Sequence, residues 1–304
     1  MRIGIGLPTR DGALTPGRMR EWATRAEAAG FSSLAVLDRV VFPIHEPLVT
    51  LANIAGATTR IRLLASAVIA PTRETTLLAR QSATLDALSG GRFSLALGVG
   101  VRRDDYAATG QSFEGRGRRV DEQLAILRRI WAGGSIDPGD LGPIGVRAAR
   151  PRGPELLIAG YVDAVARRVA EHGDGFMAPG GGTPERMAEL WAHIGSAWTA
   201  AGRPGRPRYL GSSYVALGPD AEAQARDYIG SAYAFDPALA ERRLRAIPQS
   251  TEEVRELVDR QMAMGVDEFV FRPCVGDPSL VDRLAETIAG IGAIQTGPYD
   301  PDAS

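Results

Sequence analysis

The residues of this chain that could do chemistry are few. Leu97-Gly98-Val99-Gly100-Val101-Arg102-Arg103 sets two glycines one residue apart just past an apolar, β-rich run. Glycines there let a backbone approach a ligand closely, and a plain tight turn uses the same pair. A dinucleotide fingerprint would need a third glycine at position 103 opening a helix. Arginine stands at 103, and the next helical pattern begins only at Arg116. Asp38-Arg39 follows an earlier β-rich run; its charges could touch a substrate or a cofactor ring, or form a structural ion pair. Ser66-Ala67-Val68-Ile69-Ala70-Pro71-Thr72 ends another such run in small residues, against which a ligand or a neighbouring helix could pack. The 3 histidines, His45, His172 and His193, are isolated. With no His-x-x-x-His or Glu-x-x-His pairing, no metal site is expected. His172 precedes Gly173-Asp174-Gly175 and reads as a helix end, and His193 lies within a helical pattern. His45, in a short loop after the second β-rich run, is the candidate general base.

What is missing narrows the chemistry further. All 35 basic residues are arginine, so Schiff-base, lysine-base and Walker-type chemistry are excluded. The single Cys274 excludes an internal disulfide and a cysteine-cluster metal site. No Gly-x-Ser-x-Gly elbow occurs. Arg116, Arg118 and Arg119 open a helix against its dipole, so they need a partner: a bound anion, or Asp121 and Glu122. An enzyme without reactive groups of its own borrows chemistry from a cofactor.

The elements that must position these residues alternate. Strands are expected over Arg2–Leu7, Ser33–Leu37, Ile61–Ile69, Phe93–Leu97, Glu155–Ala159, Gly175–Ala178, Arg208–Leu217 and Glu268–Arg272. Helical periodicity runs through Pro16–Ala29, Pro47–Thr58, Glu74–Leu88, Arg116–Ala132 and Asp163–His172. It resumes over Pro184–Ala201, Ala221–Ala232, Glu252–Met264 and Ser279–Ile291. Pro138–Pro154 reads as an irregular excursion, and Ala234–Ser250 as an insertion with one short helix. Parallel neighbours need a crossover, and a helix supplies it. About eight such units at this length favour a closed (β/α)8 TIM barrel, in one domain over 1–295 with a tail at 296–304, over an open doubly wound sheet. Function then sits on the loops after the strands.

With 44% apolar and 23% charged residues, the 304-residue chain has the composition of a globular protein. A net charge of −1 offers no basic excess for nucleic acid. No run is long and apolar enough for a membrane span, and only a short apolar stretch separates Arg2 from Pro8, too short for a signal-peptide core. A cytoplasmic protein acting on a small-molecule substrate is expected, with an unrelated barrel lyase or isomerase still open.

Residues 82–131 carry Leu85-Asp86-Ala87-Leu88-Ser89-Gly90-Gly91-Arg92-Phe93, Leu97-Gly98-Val99-Gly100, Asp105-Tyr106, Gly110, Phe113, Arg116 and Arg119-Val120-Asp121-Glu122. In this order and spacing they resemble the bacterial luciferase-like monooxygenase superfamily, the flavin- and F420-dependent barrel oxidoreductases. Ala23-x-x-Ala26-Glu27-x-x-Gly30-Phe31 and Leu157-Ile158-Ala159-Gly160 agree. The resemblance implies FMN or F420 with its ring at the C-terminal ends of the strands. It implies a non-proline cis peptide at the end of the third strand, by position Ala67–Val68, beneath the ring. Asp38 and Arg39 would touch ring edge or substrate. Gly98, Val99, Gly100, Val101, Gly160 and Tyr161 would hold the ribityl-phosphate arm. It also implies a homodimer formed through Pro47–Thr58 and Glu74–Leu88. This chain departs from many deazaflavin members in Arg39, which stands where they carry histidine, and in Val101 and the Tyr161-Val162-Asp163 loop. A luciferase-like protein that has lost cofactor binding is therefore the other reading.

Overall fold

In the computed structural model, residues 1–10, 12, 15–134, 143–180, 183–291 and 294–298 are described. Eight parallel strands close a barrel in chain order: β1 (Arg2–Gly6), β2 (Ser33–Val36), β3 (Arg62–Ile69), β4 (Phe93–Gly98), β5 (Glu155–Ala159), β6 (Gly175–Met177), β7 (Arg208–Val215) and β8 (Glu268–Pro273). Eleven helices flank them among the described residues. They are α1 (Pro16–Ala28), α2 (Pro47–Ala55), α3 (Thr75–Leu88), α4 (Arg103–Ala108), α5 (Arg116–Trp131), α6 (Ala164–Glu171), α7 (Pro184–Ala200), α8 (Ala221–Ala232), α9 (Pro237–Arg245), α10 (Thr251–Ala263) and α11 (Ser279–Ala289).

Local chemistry starts these helices where the spacing predicts. The side chains of Thr15, Glu46 and Glu74 each accept a backbone N–H of the first turn of α1, α2 and α3. The buried stripe of α5, with Val120, Leu124, Leu127 and Trp131, faces the barrel, and the Trp131 indole donates to Ala79 O. Among the described residues no helix is long and apolar enough to cross a membrane.

Alternation along the strands stacks inward side chains in layers. The bottom layer is ionic. Arg208 bridges Glu155 (2.7 Å) and Glu268; Ser94 donates to Glu155, and Ser32 and Ser33 both donate to Glu268. Burial alone would raise the Glu155 carboxyl, but Arg208 and Arg62 hold it down at about 2. Two positions further along each strand the layer is apolar: Ala35, Leu64, Ala96, Leu157, Met177, Leu210 and Val270. The barrel is therefore sealed below its mouth, and a ligand must enter from the C-terminal face.

Three expectations are corrected. A short helix, α4, opens at Arg103 itself, and its Asp105 accepts both Val40 N and Val41 N from the segment after β2. The cis peptide is Ser66–Ala67, one bond before the expected Ala67–Val68, and it lies where the β3–β4 register shifts between Ala65 and Val68. The helix expected to Thr58 stops at Ala55, where Gly56 caps it. Of Pro138–Pro154, residues 138–142 lie outside the described residues, and 143–154 hold no helix or strand; residues 299–304 of the tail also lie outside.

Candidate active site

The topmost inward layer differs from one side of the mouth to the other. On β3, β4 and β5 it is small: Ala67, Gly98 and Ala159. A Cβ on Gly98 would lie 3.6 Å from the Ala159 Cβ and 3.8 Å from the Ala67 Cβ, so the three sit side by side as a flat floor. Gly100 adopts φ +63° and lies so close to Ile69 that a Cβ would meet its Cγ2 at 2.8 Å. That approach folds the Val99–Val101 turn against the end of β3, and the Tyr106 hydroxyl fastens it by donating to Val99 O. Gly160 similarly lets β5 run directly into α6, since a Cβ there would meet Val165 at 2.8 Å.

On β7 and β8 the same layer is polar. Ser212 and Arg272 point inward, two positions above Leu210 and Val270. Arg272 reaches across from β8 and donates to Ser66 O at 3.1 Å, the carbonyl of the cis bond. The Oγ atoms of Ser66 and Ser212 and the Nε atoms of Arg272 and Arg243 are buried without a hydrogen-bond partner. Buried polar atoms are nearly always satisfied, so these atoms have hydrogen-bonding capacity open to water or a ligand at the mouth.

The rim is closed by α8, α9 and their connection. Tyr214, Tyr228 and Tyr233 pack on one another there, and Phe42 meets Tyr228 edge-on. Arg102 stacks on Phe235 at 4.2 Å, and Arg243 on Tyr233 at 5.4 Å. Tyr228 separates two spaces. Inside, a chamber of about 10 Å³ lies between Leu7, Leu37 and Arg272. Outside, a cleft of about 310 Å³ runs past Arg10, Cys274 and Gly276.

The residues singled out in the sequence take distinct places. Asp38 and Arg39 are not paired with each other. Asp38 is buried, accepting Ile69 N at 2.9 Å and Arg73 at 3.0 Å, so it ties the end of β2 to the end of β3 beside the cis bond. Burial raises its pKa and Arg73 opposes the rise. Arg39 turns along the rim: it donates to Ala232 O and Val41 O, lies 3.6 Å from Asp105 and stacks on Phe42. Val68 is buried in the layer between barrel and helices, whereas Ala67 faces the mouth. Tyr161 donates to Gly180 O, and its own carbonyl accepts Arg186. Val101 is exposed at the rim. His45 is exposed too, and its backbone N–H donates to Thr9 O. Arg116 stacks on Phe113 and Arg118 lies 3.8 Å from Glu122, so the start of α5 finds protein partners.

Sequence reasoning passed over Ser212, Arg243 and Arg272, and named Ser66 only as one of the small residues ending its strand. One signal was present: Arg272 falls on the inward phase of β8 at its C-terminal end, where a charged side chain in a barrel reads as functional. For Arg243 there was none, because nothing in the sequence of α9 says that it bends over the mouth.

The site fits a flat aromatic ring with polar edges. The small floor offers carbon to a face, and the unpartnered Ser66, Ser212 and Arg272 atoms offer hydrogen bonds to an edge.

Comparison with known proteins agrees with this geometry. The chain is 30% identical over 205 residues to an F420-dependent glucose-6-phosphate dehydrogenase of Kribbella flavida, covering 62% of this chain and 61% of that one. It is 27% identical over 261 residues to the pyrimidine monooxygenase RutA of Cronobacter sakazakii, covering 81% and 76%. A solved F420-dependent secondary alcohol dehydrogenase in complex with an F420-acetone adduct shares the fold, with a TM-score of 0.73 at 19% identity over 95% of this chain and 99% of that one. The family model for luciferase-like monooxygenases matches residues 1–294, and the chain belongs to that family.

Proposed function

We propose that this protein is an oxidoreductase or monooxygenase that binds F420 or FMN in the barrel mouth and acts on a small organic substrate. The observation that carries this reading is the floor of Ala67, Gly98 and Ala159 beneath buried, unpartnered polar atoms. The relatives named for F420 support the class of cofactor. When bound, such a cofactor supplies hydride transfer, or in the FMN case oxygen activation. This chain's residues supply placement. Ala67 buttresses the ring, with Val68 anchoring its strand in the layer behind. Gly98, Val99, Gly100 and Val101, together with Gly160 and Tyr161, hold the ribityl-phosphate arm. Asp38 fixes the backbone at Ile69, and Arg39 holds the rim segment at Ala232 over the mouth. Arg272 stabilises negative charge at the ring edge or on the substrate, since a guanidinium stays protonated at any working pH. His45, exposed beside the mouth, is assigned proton exchange with solvent.

The test is a binding titration of purified protein with FMN and separately with F420, followed by absorbance. Saturable binding of one of them with a perturbed spectrum is expected. Binding of neither would overturn the reading and favour a family member without cofactor, an alternative supported by Arg39, Val101 and Tyr161, where this chain departs from many family members.

A further inference from the structure

The arginines of the mouth divide into two groups. On the β2–β4 side each has a carboxylate: Arg39 faces Asp105, Arg73 faces Asp38 and Arg102 faces Asp104. On the β6–β8 side Arg243 and Arg272 have none among the described residues; the Nε of each is buried and unpartnered, as it also is in Arg39 and Arg73. Two half-buried guanidiniums with no carboxylate partner leave positive charge and N–H donors for an anion.

They flank one space. Gly180, at the end of the β6 loop, makes room for the Arg243 guanidinium: a Cβ there would lie 2.9 Å from its Nη1 and 3.1 Å from Ser212 O. The Tyr161 hydroxyl donates to Gly180 O. Burial raises the pKa of that hydroxyl, and the charges of Arg243 and Arg272 oppose the rise. Ser212, with its own unpartnered hydroxyl, lies on β7 beside Arg272 of β8.

We infer that Arg243, Arg272 and the Ser212 hydroxyl form an acid-group site on the β6–β8 side of the mouth, and that the substrate is an organic anion, a carboxylate or a phosphate ester. The inference rests on the reading of the mouth as a cofactor-dependent active site. Guanidinium forks match the planar oxygens of a carboxylate and the oxygens of a phosphate. The acid group held there would leave the rest of a small molecule over the Ala67–Gly98 floor. The phosphate of the cofactor has the same chemistry, so the experiment must separate the two sources.

The full-length protein, alone and saturated with whichever of FMN or F420 binds, is titrated by calorimetry with inorganic phosphate and with malonate at constant ionic strength. Saturable binding of at least one probe to the cofactor-loaded protein is expected. Arg243→Met and Arg272→Met should each weaken it by about tenfold or more, as for a lost charge-assisted hydrogen bond, while in Arg243→Met, whose residue is assigned no contact with the ring, the cofactor dissociation constant stays within about twofold. Arg243 makes no bond to a barrel strand among the described residues, so its variant tests the site even if Arg272→Met fails to fold. The inference is overturned if neither probe binds, or if both variants bind the probes as the wild type does. It is also overturned if the probes compete with the cofactor and the variants lose cofactor affinity in step, because the anion is then the cofactor's own phosphate. Wild-type protein that binds the probes through these arginines but binds neither FMN nor F420 leaves the anion site standing and removes the cofactor reading instead.

Discussion

Glu155 and Gly98 stand at opposite ends of the same barrel and support opposite predictions. Glu155 is fully enclosed by Arg208, Arg62 and Ser94. Glu155→Gln removes one charge from a buried network and leaves Arg208 with less than its full compensation, a change that costs about 3–5 kcal/mol. Urea unfolding followed by circular dichroism measures it. The pH dependence has a definite sign. The folded pKa of Glu155 lies near 2, below its ordinary value of 4.5. Its contribution is therefore complete above about 4.5 and is lost as pH falls toward about 2. Wild-type stability should decline over that window, and the part of the decline due to Glu155 should vanish in Glu155→Gln. Gly98→Val, by contrast, should leave stability within about 1.5 kcal/mol, because a Cβ there meets neighbours at ordinary distances and a strand accepts valine. It raises the floor of the mouth, so affinity for the cofactor that binds wild type should fall at least roughly tenfold, about 1.4 kcal/mol. Unchanged affinity would move the ring off this floor. The two residues were not equally legible. Gly-x-Gly after a strand pointed to Gly98, whereas the partners of Glu155 come from strands far apart in the chain and no spacing announces them. Asp38-Arg39 shows the same limit: sequence placed both at the mouth, but their partners, Arg73 and Asp105, are set by tertiary packing.

At the scale of elements, barrel strands and their crossover helices were readable because each has its own period, 2 or 3.6, and its own cap. Of the strands, β5 appears with its expected bounds, and α8 does so among the helices. Three features escaped for physical reasons. The six residues of α4 are too few to show a period. The non-proline cis peptide was expected from the resemblance, but its exact bond, Ser66–Ala67, escaped by one position; it lies within the β3–β4 register shift, a property of the pair and not of either strand alone. The α8–α9 segment carries helix signals, but periodicity does not say what a helix covers. Its tether is measurable. Arg39 holds the last turn of α8 through Ala232 O and holds α4 through Asp105. In Arg39→Met, hydrogen exchange of the peptides spanning 228–236 should speed by roughly 5- to 30-fold, matching a loss of about 1–2 kcal/mol of local stability, while the β1–β8 strand amides keep their protection. Equal acceleration everywhere would make Arg39 a global stabiliser and not a tether.

For the whole molecule, the exposed apolar side chains of α2 and α3 give the expected homodimer a testable surface. Val49 on α2 is 70% exposed, and Leu77 and Leu88 on α3 are 54% and 73% exposed. These two helices pack on each other in sequence order around the barrel, so the three side chains share one face of the molecule. Single exposed leucines need no explanation; three large exposed apolar side chains on two adjacent helices are the residues a dimer through this pair would cover. The homodimer expected from the family resemblance uses this same pair of helices. A stable dimer buries about 1,600 Å² in total, roughly 20–30 residues from each copy, and two neighbouring helices can supply such a face. Sedimentation velocity at micromolar concentration should therefore give a dimer for the wild-type chain. Leu77→Glu places a charge at the centre of that face, where it would be desolvated without a partner in each copy. It should shift the protein to monomer while leaving its circular dichroism unchanged, because Leu77 is 54% exposed within its own chain. A wild-type monomer, or a Leu77→Glu dimer as tight as wild type, rules out this face. Because α2 and α3 follow β2 and β3, an interface there would also brace the strands whose ends carry Asp38 and the Ser66–Ala67 bond, and dimerisation and cofactor affinity should then weaken together in Leu77→Glu.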